Sequence, residues 1–174
     1  CALPIYVVVG ACFNCYLIPN KGYRHFVKNG EKISLTSKEG VKIAKELFYS
    51  FIISLSEKHK VIVLLDSPRG EGFSPKILLN SIENKGRPFF IHNIKIPKRK
   101  IFNLDMDSVI LESEMKKMFT NTSVQVLSQS NIICPDKICN ALSEDGRPIY
   151  KDGDHMRPWF VQDRMDVLDK IINN

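Results

Sequence analysis

The sequence predicts an α/β protein whose sheet is mostly parallel. Residues 5–10 form an unbroken, mostly β-branched apolar run, which is typical of a strand covered on both faces. Apolar residues then recur at helical spacing from residue 41 to residue 55, and a second apolar run occupies residues 61–65. A strand, a helix and a second strand that follow in this order with a short final connection indicate two parallel strands.

The segments next to these elements show where the helix begins and where a ligand would bind. Residues 19–36 are polar and dotted with glycine, so we expect a long loop or lid there. Residues 36–39 are typical of a helix start, because Ser or Thr can cap its free amides, and the helix then continues through Ser56. Ligands gather at the carboxyl ends of parallel strands, so residues 10–14 and 66–72 are expected at that edge.

The second half of the chain has a weaker pattern. We expect a short helix near residues 76–84, whereas residues 85–102 give no clear prediction. A helix capped by Asp105, a third strand, a short strand and a terminal helix follow, with predicted ranges of 106–119, 124–127, 148–150 and 158–172. The residues of the terminal helix expected to face inward are Phe160, Met165, Leu168 and either Ile171 or Ile172.

The size and composition of the chain indicate a single soluble domain, predicted over residues 1–174. The chain has 174 residues, of which 44% are hydrophobic and 25% charged. No apolar run is long enough to span a bilayer. The first residues lack both the basic region and the cleavage site of a signal peptide. The chain also begins without Met and enters a strand-like run almost at once, so we interpret it as a fragment or a processed piece.

The net charge is +6, and a basic cluster near Pro97 contributes to it. The residues of this cluster are Lys95, Lys98, Arg99 and Lys100, with Phe89, Phe90 and Phe102 nearby. The cluster is either a patch for an anionic glycan, a nucleic acid or a membrane surface, or a solvated basic loop, which is the interpretation we favour. No nucleic-acid-binding motif accompanies it, so we predict no nucleic-acid partner.

Five cysteines form two short-range pairs and leave one over. The spacing of Cys134 and Cys139 suits a small disulfide loop, which would place the protein in an oxidising compartment such as a periplasm. Cys12 and Cys15 form a Cys-x-x-Cys pair that is either a redox pair, half of a metal site or two buried thiols. We favour two buried thiols. No second pair has zinc-like spacing and no histidine is close, so we predict no metal.

Near the C-terminus, Asp152 precedes His155 by three residues. A carboxylate that orients an imidazole makes up two-thirds of a serine-hydrolase triad, with His155 as general base. Asp154 competes for the role of Asp152, but adjacent side chains usually diverge in an extended segment. The alternative is an acidic surface turn that carries an incidental histidine.

Candidates for the remaining parts of such a site are weaker. Ser67 follows a buried strand and is a nucleophile candidate, although Leu65 stands where a nucleophile turn has glycine and Pro68 offers no amide for an oxyanion hole. We favour a simple turn at this position. Asn14 is a candidate donor to an oxyanion. The remaining histidines, expected at the surface, are His25, His59 and His92.

The order of these pieces resembles the C-terminal SGNH domain of membrane acyltransferases of the acyltransferase-3 family, which acetylate bacterial surface glycans such as lipopolysaccharide O-antigen. The stretches that carry the resemblance are residues 7–13, residues 51–68, the Cys134 and Cys139 pair, and Gly146-Arg147-Pro148-Ile149-Tyr150-Lys151-Asp152 with His155 and Met156. Two positions depart from the family pattern, because Cys12 replaces a basic residue and Arg157 replaces a serine.

The resemblance implies a three-layer αβα, flavodoxin-like SGNH hydrolase fold that is incomplete at its N-terminus, with the Gly-Asp-Ser nucleophile block upstream of Cys1. It also implies acyl transfer through a serine ester, using Asp152 and His155 without a cofactor or metal. The implied partners are a glycan acceptor, an acyl donor and an integral-membrane acyltransferase domain in the full-length protein. The implied location is periplasmic or otherwise extracytoplasmic, tethered to the inner membrane.

A second hypothesis belongs to a different class of protein. The chain would then be a non-catalytic α/β module that has lost its nucleophile and binds an anionic glycan or a partner protein. A Gly-Asp-Ser block encoded upstream of Cys1 would favour the enzyme over this module.

Overall fold

Strands and helices alternate along the computed structural model, which describes residues 5–19, 24–77, 101–164 and 166–172. The strands are β1 (Tyr6–Gly10), β2 (His25–Lys28), β3 (Glu31–Ser34), β4 (Lys60–Leu64), β5 (Ile101–Asn103), β6 (Gln125–Leu127) and β7 (Ile138–Asn140). The helices are α1 (Phe13–Tyr16), α2 (Lys38–Ser56), α3 (Met106–Met118), α4 (Ser130–Ile133), α5 (Pro158–Arg164) and α6 (Val167–Ile172), with 3₁₀ turns at Glu71–Phe73 and Pro135–Lys137.

The chain divides into two compact units. Unit 1 comprises residues 1–66 and 105–129, and unit 2 comprises residues 67–104 and 130–174. The prediction of one domain over residues 1–174 stays a prediction.

A parallel three-stranded sheet organises unit 1. Its strand order is β1-β4-β6, and both strand pairs are parallel. The central strand β4 is covered on both faces, since Val61, Ile62 and Val63 are at most 1% exposed. An unbroken apolar run is what such a doubly covered strand requires. The predicted α/β class with a parallel sheet is therefore confirmed. Strand β1 differs, because Val8 is 40% exposed, so the expectation that residues 5–10 are covered on both faces is wrong.

Helix α2 begins and ends where the sequence predicts. The Ser37 side chain accepts a hydrogen bond from the Gly40 amide at 2.9 Å, which caps the helix. On the buried face, Val41 and Ile52 are 3% and 0% exposed. The Phe48 ring packs edge-on against two other aromatic rings of the same core.

Helix α3 and strand β6 also agree with the prediction. Asp105 occupies the N-cap position of α3, and its carboxylate accepts a hydrogen bond from the Ser108 hydroxyl at 3.1 Å. Leu111 and Met115 of this helix are buried in the core of unit 1. That core is formed by Phe13, Leu17, Ile18, Ile52, Val61, Val63, Leu65, Leu111, Met115, Phe119 and Val124.

The predicted loop or lid over residues 19–36 is wrong where the structure describes it from residue 24 onward. Strands β2 and β3 pair there as an antiparallel hairpin. The turn residues Asn29 and Gly30 both have positive φ, as a two-residue hairpin turn of type I′ requires. The Asn-Gly dipeptide was the available signal for this hairpin.

Unit 2 has shorter elements. Strands β5 and β7 form an antiparallel pair, although the sequence predicted neither strand. The predicted strand at residues 148–150 is reduced to two isolated bridges, which join Leu142 to Pro148 and Tyr150 to Met156. The core of this unit consists of Phe73, Ile133, Cys134, Cys139, Ala141, Leu142, Ile149, Tyr150 and Phe160.

The predicted terminal helix is divided into α5 and α6. Asp166 lies at the break as a turn residue, and Asp disfavours helix interiors because its side chain competes for backbone amides. Phe160 is buried as expected, whereas Met165 lies outside the described residues. Most of the predicted helix at residues 76–84 and all of the basic cluster at residues 95–100 also lie outside them.

Candidate active site at the Asp152–His155 loop

The loop that carries Asp152 and His155 closes on itself through backbone hydrogen bonds. At its base, Tyr150 and Met156 form a bridge, and the Arg157 amide donates to the Ile149 carbonyl at 2.9 Å. Within the loop, the Lys151 amide donates to the His155 carbonyl at 2.8 Å. Five residues are thus held in a tight turn in unit 2. The sequence motif alone does not reveal where this turn begins and ends.

Tyr150 anchors this loop in the core of unit 2. Its side chain is 0% exposed and stacks on the Phe73 ring, with 4.3 Å between the ring centroids. The phenol donates a hydrogen bond to the Pro68 carbonyl. Burial raises the pKa of Tyr150 above its ordinary value, against a smaller opposing effect of the Ser67 side chain. The phenol therefore stays protonated and serves as a fixed donor.

A close approach between two glycines ties the loop to the turn after strand β4. The Gly70 amide donates to the Gly153 carbonyl at 2.8 Å. A Cβ atom added at Gly153 would lie 3.2 Å from the Gly70 carbonyl oxygen, so a larger residue would push the two segments apart. Both glycines belong to unit 2, as does Ser67 on the same turn.

The Asp152 carboxylate stabilises the loop through hydrogen bonds from the loop's own backbone amides. Its Oδ1 atom accepts hydrogen bonds from the backbone amides of Asp154 and His155, both at 2.8 Å. These amides stabilise the charged form and lower the pKa of Asp152 to about 2. The carboxylate is therefore an anion at neutral pH.

The imidazole of His155 lies directly against this anion. Its Nδ1 atom is 3.0 Å from both carboxylate oxygens of Asp152. Because a carboxylate anion can only accept hydrogen bonds, Nδ1 carries a proton and the Nε2 lone pair of the neutral ring is left as the basic site. The His155 side chain is 75% exposed, so a substrate can reach that ring from solution. The two residues are brought together as the sequence predicts, and Asp152 rather than Asp154 contacts the ring.

Arg157 supports the base of this loop. Its Nε atom donates to the Tyr150 carbonyl at 3.2 Å. Arg157 therefore takes part in closing the loop.

The structure places Ser67 near the phenol of Tyr150. The Ser67 side chain acts to lower the pKa of that phenol. Pro68, directly after it, is buried and supplies the carbonyl that receives the phenol. These contacts fit the strand-end turn that we favoured for Ser67.

Asn14 belongs to unit 1, at the carboxyl end of the parallel sheet. Its side chain is buried, with 5% of the residue exposed. Its backbone amide donates to Oδ2 of Asp66 at 2.7 Å, and the Phe13 amide donates to Oδ1 at 3.2 Å. This position at the end of β1 agrees with the edge expected for residues 10–14. The oxyanion role of Asn14 stays a prediction.

The role of three residues in positioning the loop was not predicted, although Tyr150 lies within the motif at residues 146–152. Tyr150, Gly70 and Gly153 act through contacts between segments more than 80 residues apart, for which the sequence holds no local signal. Asp66 had a weak signal, since it is a carboxylate directly after a buried strand. Of the other histidines, His25 is exposed, His59 is half-buried rather than at the surface, and His92 lies outside the described residues.

Unit 2 also contains a polar cleft of about 680 Å³. Its lining includes Asn140, Asp145, Arg147, Trp159 and Asp163. The Arg147 guanidinium lies 3.8 Å from the centroid of the Trp159 ring, a cation–π arrangement. Side chains of this kind can hydrogen-bond to the hydroxyl groups of a polar ligand.

The two cysteine pairs are both at disulfide-bonding distance. Cys134 and Cys139 are buried, with 1% and 0% exposure, so the disulfide expected from their spacing is present. Cys12 and Cys15 are each partly exposed. The interpretation of this second pair as two buried thiols is therefore wrong.

Among the residues that the structure describes, no group of three or more His, Cys, Asp or Glu side chains is arranged to hold a metal ion. Within the same residues, no helix has the length and apolar character needed to cross a membrane.

Comparison of this chain with protein-family models, with curated proteins and with solved structures gave no match.

Proposed function

We propose that this chain is the C-terminal part of an SGNH-type O-acyltransferase or esterase that acts on a bacterial surface polysaccharide. The observation that carries the proposal is the contact of the His155 Nδ1 atom with both carboxylate oxygens of Asp152 at 3.0 Å. Such a contact selects the ring tautomer that can act as a base and stabilises the imidazolium formed during the reaction. The sequence resemblance supports the acyl-transfer class.

In the proposed reaction, the neutral His155 ring takes the proton of a serine hydroxyl while the serine oxygen attacks the acyl carbonyl of the donor. The imidazolium, held beside the Asp152 anion, returns that proton to the leaving group as the serine ester forms. The acceptor hydroxyl then repeats the sequence in reverse and releases the free serine. The resemblance assigns the serine to a Gly-Asp-Ser block upstream of Cys1, with Ser67 as the weaker candidate within this chain.

The acceptor and the location follow from other features of unit 2. A polar cleft of about 680 Å³ that contains Arg147, Trp159 and Asp163 suits a glycan, because its side chains offer both donors and acceptors to sugar hydroxyls. Two disulfide-distance pairs favour an oxidising, extracytoplasmic compartment. The acyl donor and the integral-membrane acyltransferase domain, which would tether the protein to the inner membrane, come from the resemblance.

The non-catalytic α/β module that binds an anionic glycan or a partner protein is the second candidate. One observation favours it, namely the position of Ser67 beside the phenol of Tyr150, whose pKa the serine acts to lower. A serine in this position has a neighbour other than His155. Under this hypothesis the full-length protein would bind glycan without transferring an acyl group.

The test is acetyl transfer to surface glycan by the full-length protein, compared among His155→Ala, Asp152→Asn and Asp154→Asn. We expect His155→Ala and Asp152→Asn to lower the rate by about 10³- to 10⁴-fold, because base and orienting anion act as one unit. Asp154→Asn is the matched control, since Asp154 contributes only its backbone amide to the pair, and its rate should change by less than about threefold. Circular dichroism of each variant verifies that the fold is kept.

A His155→Ala protein that keeps more than about a tenth of the wild-type rate would remove this residue from the mechanism. Equal losses of the acetyl-transfer rate in Asp152→Asn and Asp154→Asn would show that catalysis by His155 does not depend on Asp152 in particular. Glycan binding without acetyl transfer by the wild-type protein would favour the non-catalytic module.

A further inference from the structure

The two disulfide-distance pairs differ in their access to solvent. Cys134 and Cys139 lie in the core of unit 2 with 1% and 0% exposure. Cys12 and Cys15 lie in unit 1, at the carboxyl end of β1, and both are partly exposed. Thiol–disulfide exchange requires an incoming thiolate to reach one sulfur along the sulfur–sulfur axis. The buried Cys134–Cys139 bond is therefore protected from exchange, whereas the partly exposed Cys12–Cys15 bond can exchange.

The turn that holds Cys12 and Cys15 is secured by contacts other than the sulfur atoms. The Asp66 carboxylate accepts the amides of Phe13 and Asn14, the two residues between the cysteines, at 3.2 and 2.7 Å. The Cys15 amide donates to the Cys12 carbonyl at 2.9 Å. Phe13 and Asn14 are also buried, at 3% and 5% exposure. The backbone can therefore keep its course when the sulfur–sulfur bond opens.

These same contacts do not involve the sulfurs, so they can hold the backbone of the turn in either redox state. The Cα atoms of Cys12 and Cys15 are 5.1 Å apart, a separation that a single turn of backbone provides and that a disulfide requires. A dithiol held in this way can close again without a search through other conformations.

We propose that Cys12 and Cys15 form a reversible thiol–disulfide exchange site whose co-reactant is a dithiol. A thiolate of the co-reactant attacks one sulfur of the pair, forms a mixed disulfide and expels the other sulfur as a thiolate. The second thiol of the co-reactant then attacks the mixed disulfide and releases the first cysteine. Two electrons and two protons pass to the protein, which gains two thiols, while the co-reactant is oxidised to a disulfide. This site lies in unit 1 and does not depend on the proposed acyl transfer.

The test is graded reduction of the native protein with dithiothreitol, followed by alkylation and peptide mass spectrometry. We expect Cys12 and Cys15 to become reduced together, at a concentration at least about tenfold below the one that reduces Cys134 and Cys139. Circular dichroism should not change over that range. Simultaneous reduction of both pairs, reduction of Cys12 and Cys15 only after denaturation, or their alkylation without any reductant would each overturn the proposal.

A pair of single substitutions gives a second and independent measurement. In Cys15→Ser, the remaining Cys12 thiol should form a mixed disulfide with glutathione disulfide in the native protein. In the matched control Cys139→Ser, the thiol of Cys134 is buried and should stay unmodified until the protein is unfolded. Equal modification of the two variants, or none at Cys12, would contradict the inference from access.

The contribution of Asp66 is measured by amide hydrogen exchange at Phe13 and Asn14. In the reduced wild-type protein we expect these amides to stay protected, since Asp66 still accepts them. Reduced Asp66→Ala should lose that protection, whereas oxidised Asp66→Ala should keep more of it because the disulfide still closes the turn. Loss of protection in the reduced wild-type protein would show that the sulfur bond alone holds the turn.

Discussion

Unit 1 and unit 2 each bury a hydrophobic core, but they do so with different kinds of structure. In unit 1 a central strand and long helices present continuous apolar faces, and Ile52, Val63 and Met115 are fully buried by them. In the described part of unit 2 the strands have three residues each, and the core is held around the buried ring of Tyr150 and the Cys134–Cys139 pair. Regular elements satisfy their own backbone, whereas an irregular loop needs side chains to do so.

This difference explains why the candidate site lies in unit 2 on a loop. The Asp152 carboxylate replaces missing backbone partners by accepting two amides at 2.8 Å, and the same anion is then available to the imidazole of His155. The interior of a helix or strand would have left no unpaired amides for it. The irregular geometry thus produces both the turn and the charged partner that a general base requires.

The largest expected effect on stability comes from Tyr150→Ala. Removing a fully buried aromatic ring that stacks on Phe73 should lower the free energy of unfolding by about 3–5 kcal/mol, because a cavity remains and the Pro68 carbonyl loses its donor. Urea denaturation measures this change. The matched control is Tyr150→Phe, which keeps the ring and should lose about 1–3 kcal/mol. A loss below about 1 kcal/mol for Tyr150→Ala would show that unit 2 does not depend on this residue.

A smaller effect on stability is expected from replacing glycine by alanine, and the size of this effect should differ between the two units. In unit 1, a Cβ at Gly40 would lie 1.8 Å from the Ser34 carbonyl oxygen, so Gly40→Ala should destabilise by about 1–3 kcal/mol although alanine favours helices. In unit 2, a Cβ at Gly153 would lie 3.2 Å from the Gly70 carbonyl oxygen, and Gly153→Ala should cost less than about 1 kcal/mol. Thermal unfolding of both variants tests the order, and a stabilised Gly40→Ala protein would contradict the close approach.

The smallest effect is local and concerns the protonation of Asp152. Its pKa of about 2 lies below the ordinary value of 3.8, so the amide bonds stabilise the loop above pH 3.8 and that stabilisation is lost as pH falls through about 2. Carboxyl carbon chemical shifts followed by NMR should give a midpoint near 2.

A variant separates the causes of this shift. The two backbone amides lower the pKa of Asp152 more than the imidazole does, so His155→Ala should keep most of the shift. A midpoint at 3.8 in the wild-type protein, or a full return to 3.8 in His155→Ala, would mean that the amides do not bind the carboxylate.

Unit 1 could be predicted well from the sequence because its signals are local. The apolar run at residues 61–65 and the helical period before it reflect burial of the elements that contain them, whereas the run at residues 5–10 forms a strand in which Val8 stays 40% exposed. The hairpin over β2 and β3 was missed although its Asn-Gly turn was visible, since the polar residues around it were interpreted as a loop. Strands β5 and β7 were missed because three residues carry too little periodicity.

The sequence by itself determined the α/β class, the parallel order of the main strands and the spacing that lets Asp152 meet His155. Only the tertiary structure decided that Tyr150 donates to the Pro68 carbonyl, that Asp152 accepts two backbone amides, and that Cys12 and Cys15 are bonded and partly exposed. The physical reason is the distance along the chain over which the deciding contacts act. Periodicity is a property of one element against its surroundings, whereas the loop is positioned by contacts such as that between Tyr150 and Pro68, which lie 82 residues apart in the chain.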